Sequence, residues 1–192
     1  MSNQNPTSSG PQTVPGLMSQ AEKHFQAGRL GDAEVLLRNA LKIQPNNADA
    51  LYALGLVAYR AGKPDAAILL IAEAIDLNPS AVRFHTNICA MYEMTGQRQK
   101  AIEHGRIAVT LKPQSSEAHN NLGVAYLSSG EPSIAVEHFT KAIEADKRNS
   151  DALSNRSKAQ IRLRRPVDAE RDARAATEIS PNNAAAQNGL AA

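Results

Sequence analysis

The sequence predicts an all-α fold, a solenoid of five helical hairpins followed by a short C-terminal helix, and three observations carry that prediction. The first is an internal period of 34 residues: Ala33, Ala67, Ala101, Ala135 and Ala169 are so spaced, and so are Ala40, Ala74, Ala108, Ala142 and Ala176. A period in the range of 20 to 50 residues is the mark of a stacked repeat array. The second is punctuation at the same period, with Gly28, Gly62, Gly96 and Gly130 in mid-unit and Pro45, Pro79, Pro113 and Pro181 near the unit ends. The third is apolar spacing of the helical kind between those marks, with no competing strand pattern.

The five units run 14–47, 48–81, 82–115, 116–149 and 150–183 without insertion or deletion. Each Gly ends a first helix, because Gly takes the left-handed C′ conformation at little cost. Pro64, Pro132 and Pro166 then sit in the first turn of the second helix, where a missing N–H matters least. The Pro near the end of the first, second, third and fifth units stops that second helix, and the fourth has Lys147 in its place. In the second unit Leu54, Ala58, Ile68, Ile71 and Ile75 form the expected apolar stripe, and in the fourth Leu122, Tyr126, Ala135, Phe139 and Ile143 do. The Ala columns let neighbouring helices approach closely. Residues 1–13 read as a disordered Ser, Pro, Gln and Gly tail, and residues 184–192 as the start of a capping helix.

The run HNNLGVAY with AVEHF beginning twelve residues after its Gly (His119 to Tyr126, Ala135 to Phe139) resembles the tetratricopeptide repeat, a two-helix unit of 34 residues, and the resemblance covers 14–183. It implies a right-handed α-solenoid of five such hairpins whose first helices line a concave groove that binds extended partners. The terminal units depart from the pattern. Gln20 and Arg156 stand where the repeat has Leu, and Arg164 stands where it has Gly, so the fifth unit is expected to be the least stable. Stretches such as FHTNICAMYEMTGQ are also similar to the repeat region of bacterial O-GlcNAc-transferase-like proteins.

Bulk composition narrows the partners. With 42% hydrophobic and 21% charged residues the chain is globular, and a net charge of +2 gives no general attraction to nucleic acid or membrane. A single cysteine, Cys89, excludes an internal disulfide and fits a reducing compartment, so the expected location is cytoplasmic. No apolar run approaches the roughly 18 residues of a membrane helix.

Catalytic and metal chemistry find no support. There is no Gly-rich phosphate loop, no G-x-S-x-G and no H-E-x-x-H. Cys89 shares a small-residue column with Gly55, Gly123 and Ser157, which reads as packing. His85 with His119, and His104 with His138, are column mates one repeat apart, a separation of about one helix spacing that is too wide for a shared metal. The expectation is a non-enzyme with no cofactor and no metal.

The predicted binding face follows by column: Tyr52, Leu56 and Tyr59 in the second unit, Arg83 and Asn87 in the third, Asn121, Val124 and Leu127 in the fourth, Asn155, Lys158 and Arg162 in the fifth. Asn87, Asn121 and Asn155 form a ladder, and an Asn side chain carries the donors and acceptor that match one peptide group. Asn120 has Thr86 and Ser154 as column mates and stands outside that ladder. Such ladders occur in the repeat region of O-GlcNAc transferase, and the resemblance implies the same use here. The plainer reading, polar side chains facing a wet groove, stays open. If the ladder faces the groove alone, Asn121→Ala should leave the melting temperature level or raise it.

The expected function is thus a non-catalytic scaffold that binds an extended protein or peptide segment. The substrate-recruiting part of a larger glycosyltransferase-like enzyme is the alternative, and self-association through the repeat ends stays open. Residues 147–174 hold nine basic and four acidic side chains, a net +5 that leaves −3 for the rest. That end reads as a solvated terminal repeat, or as a dock for an acidic peptide. Nucleic acid ranks last, because no aromatic is interleaved for base stacking.

Overall fold

The computed structural model describes residues 13–181. Among them the chain forms ten α-helices and no strand: α1 (Val14–Gln26), α2 (Leu30–Ile43), α3 (Ala48–Arg60), α4 (Pro64–Leu77), α5 (Val82–Met94), α6 (Arg98–Leu111), α7 (Ser116–Ser128), α8 (Pro132–Ala145), α9 (Ser150–Arg162) and α10 (Pro166–Ile179). Consecutive helices pair as hairpins. They fall into two compact units, one through Pro79 holding α1–α4 and one from Ser80 holding α5–α10. The expected disorder of the N-terminal tail and the closing helix at 184–192 lie outside the described residues. Thr13, read as part of the tail, is instead the N-cap of α1, its hydroxyl accepting from the Gly16 N–H at 3.3 Å.

Local chemistry sets the helix ends. Asn47, Ser115 and Asn149 cap α3, α7 and α9, each accepting a backbone N–H three residues on. Gly28, Gly62, Gly96 and Gly130 hold φ between 74° and 84°. After α1 the Gly28 N–H bonds to Phe25 O and the Arg29 N–H to His24 O, the paired bonds of a Schellman motif. The same pair recurs after α9, where Arg164 takes the left-handed conformation at φ 58° without the freedom of Gly.

The core follows the columns. All ten column alanines are 3% exposed or less. Within each hairpin, the small-residue column on the first helix faces one position on the second, and their sizes complement. A Cβ on Gly123 would lie 2.6 Å from the Phe139 ring, and one on Gly105 would lie 3.2 Å from Cys89 Sγ. The third hairpin has thus exchanged the large and small partners that the fourth keeps as Gly123 and Phe139. Burial pushes the Cys89 thiol up to about 12, so it stays protonated and makes a poor nucleophile.

Candidate functional site

In the first unit α1 and α3 present an apolar face. Met18, Ala21, Phe25, Leu37, Ala53, Leu56 and Val57, with Glu22 as the single charged residue, line a cavity of about 170 Å³. Arg60 stabilises its rim. The guanidinium lies 4.2 Å from the centre of the Phe25 ring, and its Nη1 donates to Phe25 O at 3.2 Å. Of the predicted residues, Leu56 lines the cavity, and Tyr52 and Tyr59 are half-buried on the same helix. Met18 and Phe25 complete the face and were missed by the sequence reading. The signal was present: Met18 lies 34 residues before Tyr52, and Phe25 34 before Tyr59.

In the second unit the predicted residues divide. Arg83 is exposed, with its guanidinium 5.3 Å from the Phe84 ring centre, while Asn87 and Val124 are half-buried. Leu127 is 8% exposed and packs with Ala135, Phe139 and Ala159, which places it in the core instead of on the binding surface. Lys158 is exposed and reaches Asn155 Oδ1 at 3.4 Å.

The asparagines make contacts within the fold. Asn121 Nδ2 donates to Thr86 O at 3.1 Å, from α7 back to α5. Asn155 Nδ2 donates to Asn120 Oδ1 at 3.1 Å, from α9 back to α7. Arg162 donates to Leu127 O at 2.7 Å, and the Ser128 hydroxyl to a Glu93 carboxylate oxygen at 2.7 Å. All of these bridges span 35 residues, one repeat plus one, and so does the Arg60 bond to Phe25. The adjacent asparagines of HNNLGVAY therefore have distinct partners: Asn121 reaches the preceding repeat, and Asn120 receives the following one. The expectation that removing Asn121 leaves the fold unharmed is corrected by its bond to Thr86, which Ala cannot make.

The histidines pair within repeats. Nδ1 of His85 and Nδ1 of His104 are 3.0 Å apart, and those of His119 and His138 are 3.1 Å apart. The relevant interval is 19 residues, from the first helix of a hairpin to its second, and the sequence reading by columns overlooked it. His119 Nε2–H donates to Pro113 O at 3.0 Å, so its Nδ1 is bare and His138 Nδ1–H donates to it. Tyr126 stacks on His138 and Tyr92 on His104, each with ring centres 5.5 Å apart. Burial, then His119 and Lys141, lower His138 to about 4; burial first also lowers His119 and His104. The first repeat fills the same two positions with Leu17 and Leu36, which belong to one apolar cluster. The histidine pairs thus take the place of a core contact, and no group of three or more His, Cys, Asp or Glu able to hold a metal occurs among the described residues.

Arg156, at the position of the missing Leu, is also partnered. Its Nε and a terminal nitrogen donate to the two oxygens of Asp172 at 2.7 and 2.8 Å, and the other terminal nitrogen donates to the Thr140 hydroxyl at 3.1 Å. Asp172 is 2% exposed. The fifth hairpin therefore holds a bidentate ion pair at the position where the second, third and fourth repeats have Leu54, Ile88 and Leu122.

Family models of the tetratricopeptide repeat match residues 18–82, 54–116 and 116–149. Among solved structures the chain is similar to the pilF protein of Pseudomonas aeruginosa, with 22% identity over 93% of this chain and 87% of that one and a TM-score of 0.82. It is similar to MamA of Desulfovibrio magneticus RS-1 at 16% identity, covering 91% and 98% of the two chains with a TM-score of 0.79. It is also similar to YrrB, a repeat protein of this class with an unusual peptide-binding site, at 18% identity, covering 94% and 93% with a TM-score of 0.74. At these identities the likeness is one of fold. No curated protein sequence matches the chain.

Proposed function

The chain belongs to the tetratricopeptide repeat family, and from that premise we propose that it is a non-catalytic scaffold whose first helices bind an extended polypeptide segment. The observation that carries this reading is the apolar face of α1 and α3: a cavity of about 170 Å³ with Met18, Phe25 and Leu56 in its lining suits one apolar side chain of a partner. YrrB supports the reading as a protein of the same fold that has a peptide-binding site. On the second unit, Asn87, Asn121 and Val124 would meet the partner's backbone and side chains. Asn121 would use the amide capacity that remains after its bond to Thr86. Each such bond adds about 0.5 to 1.5 kcal/mol, so the apolar anchor dominates affinity and the asparagines fix register. The partner is a protein or peptide, and the scaffold is placed in the cytoplasm. No helix among the described residues is long and apolar enough to cross a membrane. The glycosyltransferase alternative has only the residue resemblance behind it.

The test begins with panning a random twelve-residue peptide library on the full chain, followed by calorimetry of a selected peptide. Leu56→Glu puts a charge into the cavity and should weaken binding at least about tenfold, the worth of one well-seated apolar side chain. Equal affinity for wild type and Leu56→Glu, with both melting normally, contradicts the proposal.

A further inference from the structure

We infer that the turn between α9 and α10 is a second interaction surface, independent of the apolar face, where Arg162, Arg164 and Arg165 receive an acidic, extended polypeptide segment. Three observations converge on it. The first is backbone strain: Arg164 is the one non-Gly residue with positive φ among the described residues, at the position that four sister repeats fill with Gly. An L side chain in the left-handed region is disfavoured, and a residue held there against an easier choice points to use of its side chain. The second is uncompensated charge. Of the basic residues in the fifth repeat, Arg156 pairs with Asp172, Arg171 with Asp168 and Arg174 with Glu170. Arg162, Arg164 and Arg165 are exposed and have no carboxylate partner among the described residues. The third is positioning: the bond of Arg162 to Leu127 O fixes one edge of its guanidinium.

Charge complementarity makes the occupant anionic, and two features make it a carboxylate-bearing peptide. A guanidinium fork matches a carboxylate in two parallel bonds. Neither α9 nor α10 contains an aromatic residue on which a nucleotide base could stack.

The test uses the full chain with a labelled octa-glutamate peptide, an octa-glutamine peptide, and a single-stranded RNA octamer of mixed sequence. Arg164→Gly should raise the melting temperature by about 2 to 4 °C, because Gly takes the same φ freely. The double variant Arg164→Gly with Arg165→Gln should nevertheless bind octa-glutamate about threefold to tenfold more weakly than wild type. Arg171→Gln removes a paired arginine from the same repeat and should leave the affinity unchanged. Octa-glutamate bound no better than octa-glutamine, or bound equally by wild type and the double variant, overturns the inference. RNA bound more tightly than octa-glutamate at the same salt overturns it in favour of a nucleic-acid surface. Leu56→Glu should not affect octa-glutamate binding, so failure of the apolar site and failure of this one are separable.

Discussion

Asn121 links local sequence to array stability. Its amide satisfies Thr86 O from the next repeat, so Asn121→Ala loses an inter-repeat bond that helix propensity only partly offsets. The melting temperature should fall by the equivalent of about 1 kcal/mol; an unchanged or higher value would return the asparagine to a purely solvent-facing role. His138 makes a second prediction. Its folded-state value of about 4 lies below the ordinary 6.5, so protonation favours the unfolded chain. Stability from this group is full above about 6.5 and declines as pH falls from there toward 4. Melting followed from pH 7 to 4.5 should show a drop that is reduced in His138→Gln, and identical slopes would exclude the histidine pair as the source. Arg156 and Asp172 make a third. Asp172→Ala strands a largely buried guanidinium and should cost about 3 kcal/mol, whereas Arg156→Leu with Asp172→Ala should recover most of it. A double variant as unstable as the single one would show that the pair is not the relevant interaction.

At the level of helices and hairpins, much was legible in the sequence. The Gly and Pro columns fall at helix ends and the Ala columns at the packed positions between them, because capping and close packing act over a few residues and repeat with the chain. The side-chain partners were less legible, since they depend on offsets that a 34-residue comparison hides. The inter-repeat bonds fall at 35 and the histidine pairs at 19. Leu127 fills a position that reads as surface, yet it is packed beside Ala159. The expected weakness of the fifth repeat changes its cause. Arg156 is satisfied by Asp172, while Arg164 carries the strain, and Val167 on α10 is 78% exposed. Amide hydrogen exchange should therefore show α10 opening before α7 and α8; equal protection throughout α5–α10 would contradict this.

For the whole molecule, charge and apolar surface lie in different parts of the sequence. The apolar face belongs to α1 and α3, and the net +5 belongs to residues 147–174. On the proposed reading, a partner is selected by the chemistry of each surface. The central claim is that the α1–α3 face binds a side chain. Methyl-resolved NMR of the full chain, titrated with a panned peptide, tests it most directly. Binding should shift the methyl signals of Met18, Leu56 and Val57 in the cavity lining and leave those of Val35 and Leu69, exposed on α2 and α4, in place. Shifts at Val35 and Leu69 with Met18, Leu56 and Val57 unmoved would contradict the account.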